Sequence, residues 1–330
     1  MAQATLVQQA TTVTNSNANI IYPLDILDIF EKELPTTDFV FRGLKAGTLG
    51  FLTSAGGVGK SMLATQLAIS LADTTKQYNL YPFINSNTQR GKVVYINLED
   101  PVDIIAKRVK RILRYLLEHK NINNSSNYFV NNIKNNLLIY PFFGTNYSLY
   151  RNKIVQESVK NNLIQLATGA RLMIIDTFRR LHDGNENDNA EMSEVLKVLE
   201  NIAATTGTAI LLLHHQNKAT IGEENLTQSI MRGASALADN ARLVITMQTL
   251  TEKEAKKINV DKDERFFYTK LNYAKVNYSA PIAPVVFKKE NSVMSLHNEE
   301  ILKEIFEEDI VDFSKQKEIE DIAAKANDLF

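Results

Sequence analysis

The segment SAGGVGKS, Ser54 to Ser61, places three glycines, a lysine and two serine hydroxyls within eight residues. Gly56, Gly57 and Gly59, interleaved with Ala55 and Val58, let the backbone curl so that its N–H groups converge on phosphate oxygens. The helix expected to open at Ser61–Met62 adds the positive end of its dipole. Lys60 then reaches the β- and γ-phosphates, and the Ser61 hydroxyl is placed to ligate Mg²⁺. Ser54 departs from the G-x-x-x-x-G-K-[ST] pattern, whose first position is glycine. The alternative is a glycine-rich turn with no ligand. The order strand, loop, Lys-Ser, helix favours a nucleoside triphosphate.

Such a site also needs a carboxylate for the metal and a base for the attacking water. RLMIID ends an apolar run in Asp176, the position from which a carboxylate holds magnesium directly or through water. Thr177 follows it, so the base must come from elsewhere. Glu99, at the end of VVYINL, lies on the strand edge where ligands collect in open parallel sheets. A plain helix-start acid is the competing role, and it suits Asp100, which precedes Pro101, better than Glu99. TAILLLHH delivers His214 and His215. Neighbours on a strand point to opposite faces, which makes the pair a poor metal site. His215 is therefore assigned to the γ-phosphate side and His214 to the core. Arg232, in SIMRGAS, is either a surface arginine or a finger completing a neighbouring subunit's site.

These residues need a scaffold that gathers strand ends. From about residue 45 short β-like runs alternate with helical ones: TLGFLTS, then a helix from Ser61; VVYINL, then a helix over 101–119; NLLIYPFF, then 152–167; RLMIID, then 190–205; and TAILLLHH. This predicts an α/β fold with a mostly parallel sheet covered by helices on both faces. ARLVITMQTL, RFFYTKLNYAKV, APVVFKK and SVMSLH predict antiparallel strands extending the sheet at the C-terminal end of the core. The organisation expected is an N-terminal arm and lead-in over 1–41, a core over 42–298 and an acidic helical appendage over 299–330. Twelve asparagines fall between 121 and 162, which reads as a long surface loop around one strand.

Composition narrows the classes. With 44% hydrophobic and 23% charged residues the chain can bury a core. Zero cysteines exclude a disulfide scaffold, a thiol nucleophile and Cys-ligated zinc, and make a cytoplasmic address the expectation. No apolar run is long enough to span a bilayer, so no membrane partner is expected. A net charge of −1, from 37 basic and 38 acidic residues, supplies no overall field for nucleic acid. The basic run AKRVKRILR at 106–114 reads as a solvated or interface helix face.

SAGGVGKS, YINLEDP, IIDTFRRLH, LLLHHQNK, MRGAS and VDKDERFFYTKLNYAKVNYSAP, in this order, resemble the RepA family of plasmid replicative helicases, close to the DnaB and RecA-type ring ATPases. The similarity covers about residues 42–297. It implies a RecA-type P-loop core, ATP with Mg²⁺, and a homohexamer that translocates on single-stranded DNA and unwinds duplex. It also implies an initiator or primase as a further partner. By matching motif, Lys60 and Ser61 bind phosphate and metal, Glu99 activates water, Asp176 holds the metal, His215 senses the γ-phosphate and Arg232 is the finger in trans. Arg108 and Tyr278 are similar to residues that sandwich adenine. Lys275 matches the lysine of a Lys-x-Arg element whose arginine is absent in AKVNY. DNA would meet loops 182–190 and 216–230, of which only Lys218 is basic. Two other readings stay open: a recombination or regulatory ATPase of this fold without unwinding, and a nucleotide-gated recruitment module that uses the acidic tail.

Overall fold

The computed structural model describes residues 23–119, 122, 126–186, 188–215, 237, 240–291 and 293–297. The chain divides into two compact units, Met1–Asp38 and Phe39–Phe330. In the first, α1 (Ile26–Glu31) is capped by Asp25, whose carboxylate accepts from the Leu27 and Asp28 amides. Its Ile26, Leu27 and Phe30 side chains are exposed.

The second unit opens with the paired strands β1 (Phe39–Phe41) and β2 (Leu44–Lys45). The main sheet starts at β3 (Leu49–Ser54), buried along its whole length. Helix α2 (Lys60–Ala72) follows, then β4 (Val93–Asn97) and α3 (Val102–His119). Ile105, Ile112 and Leu116 anchor α3 on one side, while Lys107, Lys110, Arg111 and Arg114 are exposed on the other, as the basic run predicts. Next come α4 (Ser126–Asn136) and β5 (Leu137–Pro141). Helix α4 corrects the expectation of a long loop across the asparagine-rich stretch. Phe129 and Ile133, four residues apart, are buried against the core and outweigh the weak helix propensity of asparagine.

A hairpin of β6 (Tyr150–Arg151) and β7 (Ile154–Val155) then precedes α5 (Glu157–Ala167). The helix expected from 152 therefore starts later, at Glu157. Asn152 and Lys153 both have positive φ, 51° and 62°, the geometry of a two-residue hairpin turn. β8 (Leu172–Asp176) leads through a 3₁₀ turn at Phe178–Leu181 to α6 (Asn189–Thr206), and then to β9 (Ala209–His215). Asp188 caps α6 by accepting from the Ala190 and Glu191 amides, and Gly207 ends it at φ 72°.

β10 (Leu243–Thr249), α7 (Glu252–Lys257), β11 (Tyr268–Val276), β12 (Val285–Glu290) and β13 (Val293–Leu296) complete the sheet, whose order is β13-β12-β11-β10-β3-β9-β8-β4-β5. From β10 through β5 each neighbouring pair is parallel, and from β10 outward to β13 each is antiparallel. β10 departs from the expected antiparallel block: it runs alongside β3, with Leu243 opposite Gly50 and Met247 opposite Ser54. The chain between β9 and β10 is long enough for a crossover, which a parallel neighbour requires. Arg232, Lys218 and the 216–230 loop lie outside the described residues, as do most of the N-terminal arm and the whole 299–330 appendage.

Alternation along the strands builds a core on each face. Val93, Tyr95, Leu172, Ile174, Leu211 and Leu213 face α2, α3 and α4. Val94, Ile96, Met173, Ile175, Ile210 and Leu212 face α5 and α6, together with Phe51.

Two buried histidines lie on this second side. Burial, with the Arg179 guanidinium next, lowers the His182 pKa to about 4. Burial, with Lys60, His215, His182 and Arg179 as like charges, lowers that of His214 to about 4 as well. Asp183, Glu186 and Glu191 are the acids nearby, and they do not reverse either shift.

In the unfolded chain both rings protonate at about 6.5. Between pH 6.5 and 4 the unfolded state therefore holds more protons, so stability falls on acidification, by up to about 1.4 kcal/mol per pH unit for each proton. Urea midpoints of wild type and His214→Gln over a range from about pH 8 to about pH 5 check this. The variant should lose about one proton's worth of slope, and an unchanged slope refutes the assignment.

Candidate functional site

The C-terminal ends of β3, β4, β8 and β9 meet on one sheet edge, because these strands are parallel neighbours. Ser54 ends β3 and the cradle follows it, with Gly57 at φ 77° and Gly59 at φ 115°. Gly59 is the N-cap of α2, a left-handed position that a side chain would strain. The antiparallel strands brace the loop from outside: the Thr269 hydroxyl donates to the Val58 carbonyl at 3.2 Å. Gln66 of α2 exchanges hydrogen bonds with the Met294 backbone, at 2.7 and 3.1 Å.

Ser54 gains a role from this geometry. Lys60 Nζ donates to Ser54 Oγ at 3.1 Å and approaches His215 Nδ1 at 3.2 Å. Burial lowers the Lys60 pKa, while the Asp176 and Glu99 carboxylates oppose the shift. His215 Nε2 lies 3.3 Å from Glu99 Oε2. A protonated Lys60 can only donate, so Nδ1 accepts and Nε2–H donates, which assigns the tautomer. A chain of donors thus runs Lys60 to His215 to Glu99. The His215 hydrogen bond is the main cause that lowers the Glu99 pKa, ahead of the opposing effect of its partial burial. Asn97 sets the turn beneath Glu99, its side-chain oxygen accepting from the Glu99 and Asp100 amides at 3.2 and 2.8 Å.

Asp176 is almost fully buried at the end of β8. Burial raises its pKa, and the Tyr95 and Ser61 hydroxyls draw it back. Oδ2 accepts from Tyr95 Oη at 2.8 Å, while Oδ1 is buried with no hydrogen-bond partner among the described residues. A buried carboxylate oxygen left unpaired beside a P-loop hydroxyl fits a hydrated Mg²⁺, which takes oxygen ligands and keeps much of its water.

The two histidines separate as strand alternation requires. His215 faces Lys60 and Glu99. His214 packs against Phe51 and Phe178, its Nδ1 3.7 Å from Glu186 Oε1. Arg108 turns to Asp100, Nη2 to Oδ2 at 2.6 Å, and this pair sits near Asp176 and Tyr95. Lys275 and Tyr278 are not brought to the cradle of their own chain. β11 runs antiparallel to β10, so its end returns to the other sheet edge. Lys275 stands there opposite Val244, and Tyr278 lies beyond the end of β11 with Lys45 over its ring. Sequence reasoning missed Tyr95 and Asn97. Their alternating positions in VVYIN, two apart on one strand face and leading to Glu99, were the available signal.

Comparison with known proteins agrees with this architecture. A solved ATPase domain matches at a TM-score of 0.53 and 15% identity, over 76% of this chain and 85% of that one. A DnaB-like replicative helicase, whose structure was solved with its interactions with primase, also matches at 0.53 and 15%, over 78% of this chain and 61% of that one. The chain thus spans less than two thirds of the second protein's length, and at these identities the likeness is one of fold. A family model described as an AAA domain matches residues 22–220. With a P-loop cradle at the edge of a RecA-like sheet and that model covering more than half its length, the chain belongs to the AAA domain family.

Proposed function

We propose that the protein is an ATP-hydrolysing replicative helicase of the RepA type, acting as a homohexameric ring on single-stranded DNA. The observation that carries this reading is the Lys60–His215–Glu99 chain, which links the phosphate-binding lysine to the base. The fold likeness to a solved ATPase domain and to a DnaB-like helicase supports the motor class. That helicase interacts with primase, which makes a primase the partner to test first.

In this reading Lys60 binds the β- and γ-phosphates, and the backbone N–H groups of Gly56 to Ser61 line the oxygens. Ser61 and Asp176 would hold Mg²⁺, which would supply positive charge to neutralise what develops on the phosphates. Glu99 takes a proton from the attacking water, whose oxygen bonds to the γ-phosphorus as ADP leaves. Lys60 has a third N–H for the phosphate, and a γ-phosphate that draws the ammonium toward itself weakens its bond to His215. Arrival of the γ-phosphate therefore alters the hydrogen bond that holds Glu99, and His215 becomes the sensor. Arg232 of a neighbouring subunit completes the charge stabilisation. Residues in 182–190 and 216–230 are the candidates for DNA contact in this reading, where six copies of a weakly charged patch would act together.

Lys60→Ala should lose nucleotide binding or turnover. Glu99→Gln should retain ATP binding and lose at least about 100-fold in turnover, the usual contribution of a general base. Filter binding and phosphate release measure the two, and full turnover in Glu99→Gln contradicts the assignment. Mixing Arg232→Ala with Lys60→Ala should restore activity that neither has alone, because each supplies what the other lacks at a shared site. Strand displacement on a tailed duplex tests the motor itself: ATP turnover without displacement would leave a regulatory ATPase of the same fold.

A further inference from the structure

Tyr95 is a large aromatic residue in the middle of β4, and its plain role is to fill the core beneath α2. Two features exceed that role. Its ring is fully buried, yet its hydroxyl is placed on a carboxylate, Asp176 Oδ2, at 2.8 Å. The register explains how. Tyr95 stands opposite Ile174 and Asn97 opposite Asp176, so Tyr95 and Asp176 are diagonal neighbours on the same sheet face. Thr65 of α2, beside this hydroxyl, donates to the Ser61 carbonyl at 2.6 Å, so the Tyr95 contact adjoins the helix turn that carries Ser61.

From this geometry we infer that Tyr95 is a positioning residue: its O–H holds Asp176 Oδ2 and thereby turns Oδ1 toward the divalent cation shared with Ser61. A carboxylate has two equivalent oxygens and a soft terminal torsion, so one donor on one oxygen is enough to select which oxygen stays available. Phenylalanine at 95 would fill the same space and leave this choice open. The inference rests on the metal–triphosphate reading above and adds to it a residue that touches neither the metal nor the nucleotide.

The experiment uses full-length Tyr95→Phe. Electron paramagnetic resonance of free Mn²⁺ measures metal binding in the presence of a non-hydrolysable ATP analogue, and fluorescence titration measures binding of the same analogue in EDTA. The expected result is Mn²⁺ affinity weaker by about 10-fold or more, as for other outer partners of metal ligands, with metal-free nucleotide affinity unchanged. The same substitution in an Asp176→Asn background should have no further effect on Mn²⁺ affinity, because the group it positions is gone. Circular dichroism and the urea midpoint establish that Tyr95→Phe is folded. Equal Mn²⁺ affinity in wild type and Tyr95→Phe overturns the inference, as does an equal loss of metal-free nucleotide binding. Failure of the wild type to bind Mn²⁺ with nucleotide would instead overturn the underlying functional reading. Should Tyr95→Phe not fold, Tyr95→Leu, which also removes the hydroxyl, is measured in the same way. Weaker Mn²⁺ affinity supports the inference and an unchanged affinity counts against it.

Discussion

The arrangement depends on one buried cation. Lys60 opens α2 from inside the protein, where an uncompensated charge is costly, and the fields of Asp176 and Glu99 oppose that cost. Its donors are divided between Ser54 and His215, one from each of two adjacent parallel strands. This requirement brings the ends of β3, β8, β9 and β4 to one edge with hydrogen-bonding reach between them. It also explains why a serine can stand at the first position of the cradle: its hydroxyl does for the lysine what a glycine there could not.

The antiparallel strands serve the same edge from the other direction. β11 reaches the loop through Thr269, and β13 grips α2 through Gln66, so the cradle is braced on the side away from Glu99 and Asp176. A loop that bends its backbone through left-handed positions gains from such bracing, since its own local contacts are few. The extension of the sheet is thus part of the phosphate site's support as well as an edge cover.

Much of this was legible in the sequence. Each of the parallel strands leading to Ser54, Glu99, Asp176 and His215 is a short apolar run; between them α3 carries a clear helical period and α6 a cap at each end. Less legible were the features set by tertiary packing. Helix α4 is held by Phe129 and Ile133 within a run of asparagines, whose local preference is for turns. The late start of α5 follows from left-handed Asn152 and Lys153. β10 pairs parallel with β3, a choice that its own alternation does not reveal. Tyr95 was hidden for a different reason. Locally it is one more core aromatic, and only the pairing of β4 with β8 shows where its hydroxyl goes.

The adjacency of His214 and His215 has a consequence for how this chain can vary. Both neighbours of β9 are parallel ladders, so inserting or deleting one residue within it would exchange the two faces. An imidazole meant for the aromatic pocket of Phe51 and Phe178 would then confront the lysine, and its twin would be entombed. Length drift is therefore confined to the connections on either side of this strand, while its interior admits changes of side chain but not of number.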